Sequence, residues 1–113
     1  MKKYTFVVFT NAVGDRDDEF NRWYDERHVP DVLAAPGFAA VQRFRLAETT
    51  PSQSFTHRYL ALYEIETDDL VKVQQALGEL AGTDAMYISE TLDQDGASAH
   101  YFEPITERIV AGG

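Results

Sequence analysis

His28 is the residue of this sequence best suited to proton chemistry, and it stands near the predicted end of a helix that begins close to Arg16. Imidazole exchanges a proton near neutral pH, and a helix carboxyl terminus stabilises positive charge. The nearby acids Asp25 and Asp31 favour the same charged form. We therefore predict that His28 is a general acid or base. In the alternative interpretation, His28 only binds a carbonyl group at the helix end.

Asp31 follows His28 by three residues, so a helical turn would bring its carboxylate within reach of the imidazole. There it would orient His28, as the carboxylate of a catalytic triad orients its histidine. Aspartate is equally suited to cap the short turn after Pro30, so both roles stay open.

Several aromatic side chains with polar tips are candidates for a substrate pocket beside His28. Such a pocket would stack on a flat ligand and bind its hydroxyl or carbonyl group, which favours an aromatic small molecule. The expected lining residues are Tyr24, Tyr59, Tyr63, His100 and Tyr101. For any one of them, a place in the core or in a subunit interface is the alternative.

Arg43 is the candidate for holding a carboxylate or enolate oxygen, because a guanidinium presents a rigid fork of donors. Arg45 is the second choice on the same strand. The alternative is that either arginine forms a salt bridge with one of the many acids on the surface.

The residue inventory excludes several kinds of chemistry. The chain has no cysteine, so thiolate nucleophiles, disulfides and cysteine-ligated metal sites are excluded. Its three histidines, His28, His57 and His100, form no local metal-binding motif. Gly-x-Gly-x-x-Gly, P-loop and Gly-x-Ser-x-Gly motifs are also missing. We expect neither a metal nor another cofactor.

Six elements must position these residues, with the order β-α-β-β-α-β. A proline at position 30 should end or kink the first helix, and a polar loop over 48–57 should join the two middle strands. The spacing of Met86, Ile88 and Leu92 predicts a short helical turn within 85–95. The predicted elements are strands over 4–10, 38–46, 58–66 and 97–110, the last interrupted by Pro104, a first helix capped by Asp15, and a second helix capped by Asp68 or Asp69 and ending before Gly82.

This order is typical of the α+β ferredoxin-like fold, an antiparallel sheet with two helices on one face. At least three strands carry apolar residues on both faces, so the second face of the sheet also needs a cover. A second copy of the chain is the simplest cover, and we expect a homodimer.

Length and charge set the remaining limits. With 113 residues the chain forms one domain, residues 1–113. Its net charge of −9 argues against nucleic acid and anionic membranes as partners. No apolar run is long enough to cross a membrane, and the first residues do not form a signal peptide, so we expect a cytoplasmic protein.

One segment resembles the EthD-like branch of the dimeric α+β barrel superfamily: residues 18–33, DEFNRWYDERHVPDVL, followed by Pro36-Gly37-Phe38 and Gln42-Arg43-Phe44. The resemblance implies a small homodimer related to cofactor-free dehydratases, decarboxylases, cyclases, isomerases and monooxygenases of aromatic or polyketide-like compounds. His28 matches the recurring polar residue of the family, and Tyr24 and Asp31 match neighbouring positions.

Three functions follow as hypotheses. The first is a cofactor-independent lyase or isomerase in which His28 moves a proton on a small aromatic or unsaturated metabolite. The second is a cofactor-free quinol-type monooxygenase, which would consume oxygen. The third is a dimeric module that binds a small molecule without turnover.

Overall fold

The computed structural model describes residues 1–49 and 55–112, so residues 50–54 of the predicted loop lie outside the described residues. The chain has the α+β ferredoxin-like fold that its sequence predicts. Its elements are β1 (Lys2–Thr10), α1 (Asp17–Trp23), a π-helical segment (Tyr24–His28), α2 (Val29–Leu33), β2 (Phe38–Arg45), β3 (Tyr59–Thr67), α3 (Leu70–Leu80) and β4 (Ser98–Phe102).

The four strands form one antiparallel sheet in the order β2-β3-β1-β4. The register aligns Phe6 with Tyr63 on one side and with Tyr101 on the other. These three residues face the helices, and Tyr63 and Ile65 of the same face are almost completely buried. The core therefore lies between this face of the sheet and the helices.

The other face of the sheet carries no helix, and we call it the open face. Alternation along the strands places six large apolar residues on it, none of them buried in the single chain. They are Val7, Phe9, Phe44, Leu60, Leu62 and Phe102.

Strict alternation along β2 would place Phe38 on the same face as Phe44, but the structure departs from it at the start of the strand. The register shifts between Phe38 and Ala40, so a β-bulge turns Phe38 toward the helices. Its ring meets Phe6 edge-on with the centroids 6.2 Å apart. Gly37 precedes the strand with φ 89°, and a Cβ at this position would lie 2.7 Å from a methyl group of Val73.

Of the two predicted effects of Pro30, an end or a kink, the structure excludes the first: the helix continues to Leu33 through the π-helical segment. The backbone N–H of Val29 donates to the carbonyl of Tyr24, five residues back. In an α-helix the proline ring would collide with the carbonyl of Glu26, and the wider turn avoids this contact. The helix begins at Asp17 after an uncapped Arg16, so Asp15 is not its cap.

The remaining boundaries also differ in part from the prediction. Asp69 caps α3, since its carboxylate accepts the backbone N–H of Lys72 at 3.2 Å. β4 ends at Phe102 instead of continuing to residue 110, because Pro104 lacks the N–H needed for the ladder. Residues 85–95 form turns and one bridge between Ala12 and Leu92, not a helical turn. No helix within the described ranges is long and apolar enough to cross a membrane.

Candidate functional site

A cavity of about 150 Å³ lies between the sheet and the first helix. Of the described residues that line it, three carry polar side-chain groups: Tyr24, His28 and Tyr63. The rest of the lining is apolar, from β1, β4, α2, α3 and the segment that follows α3. It consists of Phe6, Val8, Val32, Leu77, Ala81, Met86 and Ala99. A ligand in this cavity would therefore meet few polar groups, and each would direct its orientation.

His28 is the last residue of the π-helical segment and lies between two aromatic rings. The indole of Trp23 stacks on the imidazole at 4.8 Å, and the ring of Tyr24 meets it edge-on, also at 4.8 Å. The Nδ1 atom is buried and has no hydrogen-bond partner among the described residues. A buried nitrogen without a partner is unusual in a folded protein and marks this position as a candidate for ligand contact.

His28 is neutral at physiological pH, so the prediction that its surroundings favour the charged form is wrong. Burial, with a smaller contribution from the positive charge of Arg43, lowers the pKa of His28 from 6.5 to about 4. Asp31 acts in the opposite direction but does not offset the loss of hydration. The imidazole can therefore accept a proton at pH 7 but does not carry one beforehand.

Asp31 is not hydrogen-bonded to Nδ1 of His28. Its carboxylate accepts the Nε hydrogen of Arg27 at 3.0 Å. Arg27 also donates to the carbonyl of Asp84 and lies over the ring of Tyr87, so it ties the first helix to the segment that covers the cavity. Asp31 acts on His28 through its charge and helps to hold this connection.

Tyr24 and Tyr63 form a hydrogen-bonded pair at the cavity, with their hydroxyl oxygens 3.0 Å apart. Burial raises the pKa of both phenols, which keeps them protonated at neutral pH. Two hydroxyl hydrogens are present and the pair uses one of them, so the second is free to donate to a ligand. The pair therefore supplies a hydrogen-bond donor to the cavity that His28 also lines.

Arg43 lies outside the cavity, on the far side of Tyr24. Its guanidinium is 4.1 Å from the centroid of the Tyr24 ring. It also donates to Asn21 at 2.8 Å and to Asp25 at 2.7 Å. These contacts occupy the fork that was expected to hold a ligand oxygen, and Arg43 instead holds Tyr24 in place.

Tyr59 belongs to the same polar cluster and does not line the cavity. Its hydroxyl donates to Asp17 at 2.6 Å and accepts from Asn21 at 3.2 Å. The pKa of Tyr59 is raised by burial and by the carboxylate of Asp17. The cluster fastens α1 to β3, so Tyr59 has a structural role in the chain.

Tyr101 and His100 are neighbours on β4 and therefore point to opposite faces of the sheet. Tyr101 stacks on Phe6 at 4.2 Å behind the cavity lining. His100 pairs with Val7 on the open face and is exposed. The prediction that His100 lines the same pocket as His28 is therefore wrong for a single chain.

Trp23 and Met86 were missed as contributors to the site. Trp23 and His28 are five residues apart, so an α-helical period places them at opposite edges of one stripe, about 140° apart. The π-helical segment brings them together, and the α-helical period carries no sign of it. Met86 lies in a stretch without periodicity, so its burial at the cavity had no pattern that would reveal it. Within the described ranges no three His, Asp or Glu residues converge on a possible metal site.

Comparison with solved structures shows the fold of this chain in several other proteins. An EthD family protein from Bacillus halodurans C-125 is 19% identical, with 93% of this chain and 100% of that chain covered and a TM-score of 0.61. The heme-degrader MhuD from Mycobacterium tuberculosis is 18% identical, with 93% and 98% covered and a TM-score of 0.60. SnoaB, a cofactor-independent oxygenase from Streptomyces nogalater, is 15% identical, with both chains covered at 100% and a TM-score of 0.54. The EthD-like resemblance is confirmed at the level of the fold.

In sequence, no curated protein matches the chain. Residues 3–103 match a family described as "Domain of unknown function (DUF4286)".

Proposed function

Because the chain belongs to the DUF4286 family, whose description names no activity, we propose a function from the geometry of the cavity. The protein is a cofactor-independent enzyme of the lyase or isomerase type that acts on a small aromatic or unsaturated metabolite. His28 is its general acid and base. One observation carries the proposal: a buried neutral imidazole with an unpaired Nδ1 lines the same apolar cavity as a tyrosine pair with a spare donor.

This arrangement suits the removal of a proton from a carbon next to a carbonyl group. The free hydroxyl hydrogen of the tyrosine pair binds the carbonyl oxygen and stabilises the negative charge that develops there. The imidazole takes the proton from carbon. Because burial makes the imidazolium more acidic than usual, with a pKa of about 4, it returns the proton readily, either to another carbon in an isomerisation or to a departing group in an elimination.

The size of the cavity limits the ligand. A cavity of about 150 Å³ is known to hold benzene, and the volume here is of that size. The proposed substrate is therefore one ring or a short unsaturated chain. A porphyrin does not fit this space, so we assign the site no haem.

We further propose that the protein works as a homodimer, with the open face of each chain covered by the other. Six large apolar side chains lie on that face with no helix above them. An exposed apolar surface of this kind is a common interface between identical subunits. The acidic net charge makes nucleic acid an unsuitable alternative partner.

The test uses cyclohex-3-en-1-one, a single-ring ketone whose conversion to cyclohex-2-en-1-one requires one proton removal and one proton return. The rise in ultraviolet absorbance of the conjugated product gives the rate. His28→Gln should lower the rate by about 10²–10⁴-fold with folding preserved. Val71→Gln is the control, since it introduces the same side chain on the exposed side of α3, away from the cavity and the open face.

Three results would contradict the proposed reaction. Equal rates for the two variants would remove His28 from the chemistry. Oxygen uptake in step with substrate loss would indicate the monooxygenase instead. Ligand-induced NMR shifts at the cavity without turnover would indicate the binding module.

A further inference from the structure

The chain beyond β4 forms an apolar arm over residues 103–112 with few contacts of its own. Ile105 is 94% exposed, Ile109 84% and Val110 64%. In the part of the chain that the structure describes, no hydrogen bond or ion pair joins residues 105–112 to the rest of the fold. Large aliphatic side chains are seldom so exposed together, because their burial is favourable.

The surroundings of Pro104 show at which end of the sheet the arm leaves β4. Pro104 shares a shallow depression with Thr5, Glu64 and Glu66, all from the open face. The arm therefore leaves β4 over the open face, at the end of the sheet where β1 begins.

The opposite end of the open face carries a second cavity, of about 230 Å³. Phe9, Phe44, Phe55, His57 and Tyr59 form its aromatic walls, and of these Phe44 and Phe55 are large apolar residues that are exposed. We call it the aromatic hole. Its volume exceeds that of a ~150 Å³ cavity, which is large enough to bind benzene, so branched aliphatic side chains fit inside.

Charges around the arm and the aromatic hole are complementary. Glu103 and Glu107 flank Ile105 on the arm, and Arg108 follows them, so acids outnumber bases there. Arg45 and Arg58 contribute to the lining of the aromatic hole. Within the described ranges Arg45 forms no ion pair, and Arg58 has only a 3.6 Å contact with Asp17. Two copies of a chain with net charge −9 repel each other. Attraction between opposite charges at the contact offsets part of this repulsion.

We propose that the arm docks on a second copy of this chain, with Ile105 and Ile109 in its aromatic hole and Glu107 beside its Arg45. A two-fold axis that runs across the strands places the start of one sheet over the end of the other. Each arm then reaches the hole of the opposite copy, and the two contacts form together. The proposal rests on the homodimer proposed above but not on the chemistry assigned to His28.

Cross-linking between two single-cysteine variants tests the contact directly, because the natural chain contains no cysteine. Ile105→Cys and Phe44→Cys are prepared as separate full-length proteins, the second with a mass tag, and are mixed under mild oxidation. Each chain has one thiol, so an arm-to-hole disulfide can form only between copies. Val71→Cys, on the exposed side of α3, replaces Ile105→Cys in the control mixture.

We expect the mixed disulfide of Ile105→Cys with Phe44→Cys to exceed the control yield by about tenfold or more. A yield equal to that of the control would overturn the proposal. If both mixtures contain dimers by sedimentation, this result would leave the homodimer in place and reject only the arm contact.

A charge exchange on otherwise unmodified chains provides the second test. Glu107→Arg and Arg45→Glu should each weaken the dimer about tenfold in sedimentation equilibrium, and the double variant should recover most of the loss. Independent effects in the double variant would reject the pairing of Glu107 with Arg45. Unchanged dissociation constants in both single variants would reject docking of the arm between copies.

Discussion

The imidazole of His28 lies between the indole of Trp23 and the edge of the Tyr24 ring, and these contacts replace much of its hydration. Hydration stabilises the imidazolium more than the neutral form. The resulting pKa of about 4 means that the folded chain resists protonation of His28. The unfolded chain, with a pKa near 6.5, does not.

This difference predicts how stability depends on pH. Above pH 6.5 neither state protonates His28, so the residue adds no pH dependence. As the pH falls from about 6.5 to 4, His28 binds a proton in the unfolded state but stays neutral in the folded state. The free energy of unfolding therefore decreases by up to about 3 kcal/mol. Urea unfolding at pH 7.5, 5.5 and 4 should show this loss in the natural chain but not in His28→Gln. Parallel pH curves for the two proteins would contradict the buried neutral imidazole.

Tyr63→Phe removes one hydroxyl from the cavity and tests the tyrosine pair as a donor. Loss of the bond to Tyr24 should lower the free energy of unfolding by only about 0.5–1.5 kcal/mol. If Tyr24 donates to Tyr63 and the Tyr63 hydroxyl donates to an enolate, the isomerisation rate should fall by about 10²–10³-fold. Tyr4→Phe is the control, since the Tyr4 hydroxyl forms no hydrogen bond within the described ranges. Equal rates in the two variants would limit the pair to a structural role.

The sequence identified the polar side chains that line the cavity but not their protonation state or their hydrogen-bond partners. His28, Tyr24 and Tyr63 do line one cavity, as their spacing and alternation indicated. The charge of His28 depends on how much water reaches it, and no pattern of residue types carries that information. Arg43 failed as a ligand-binding candidate because its partners Asn21 and Asp25 come from another element.

Secondary structure was predictable wherever one period holds throughout an element. β1, β3 and α3 follow alternation or helical spacing and agree with the prediction to within a few residues. The first helix changes period at Tyr24, and a helical wheel cannot represent the π-helical segment. The bulge at the start of β2 likewise moves a single residue, Phe38, to the opposite face of the sheet. The π-helical segment and the bulge both change which side chains pack into the core beside the cavity.

Arg43 joins β2 to α1 and also acts on His28 by its charge, so its two effects can be separated. Arg43→Met removes the bonds to Asn21 and Asp25 and should lower the free energy of unfolding by about 1–3 kcal/mol. The pKa of His28 should rise, because a positive charge that opposes the imidazolium is gone. Arg43→Lys keeps the charge but loses the fork of donors. It should be destabilised while the pKa of His28 stays low.

NMR titration of His28 beside chemical denaturation measures both effects. A low pKa in Arg43→Met as well as in Arg43→Lys would show that burial alone sets the charge of His28. Unchanged stability in both variants would show that the contacts of Arg43 contribute little to the joint between β2 and α1.

For the whole molecule, the fold leaves one layer uncovered. The first helix, which runs from α1 through α2, and α3 lie on the same face of the sheet. The apolar side chains of the open face therefore have no partner within the chain. The sequence indicated this from strands that are apolar on both sides. It could not indicate the course of the arm, because residues 103–112 lack periodicity and contribute no strand after Pro104.

Leu62 lies near the centre of the open face, between Val7 of β1 and Gln42 of β2, and is therefore the position where a charge should harm a homodimer most. Leu62→Lys places an ammonium group against an apolar partner surface, twice per dimer because of the two-fold symmetry. A loss of about 2–4 kcal/mol raises the dissociation constant by roughly 30- to 1,000-fold. Sedimentation equilibrium measures this change, and Val71→Lys on exposed α3 is the matched control. If Leu62→Lys remains as strongly dimeric as Val71→Lys, the open face is not the interface, and the subunits must associate through another surface.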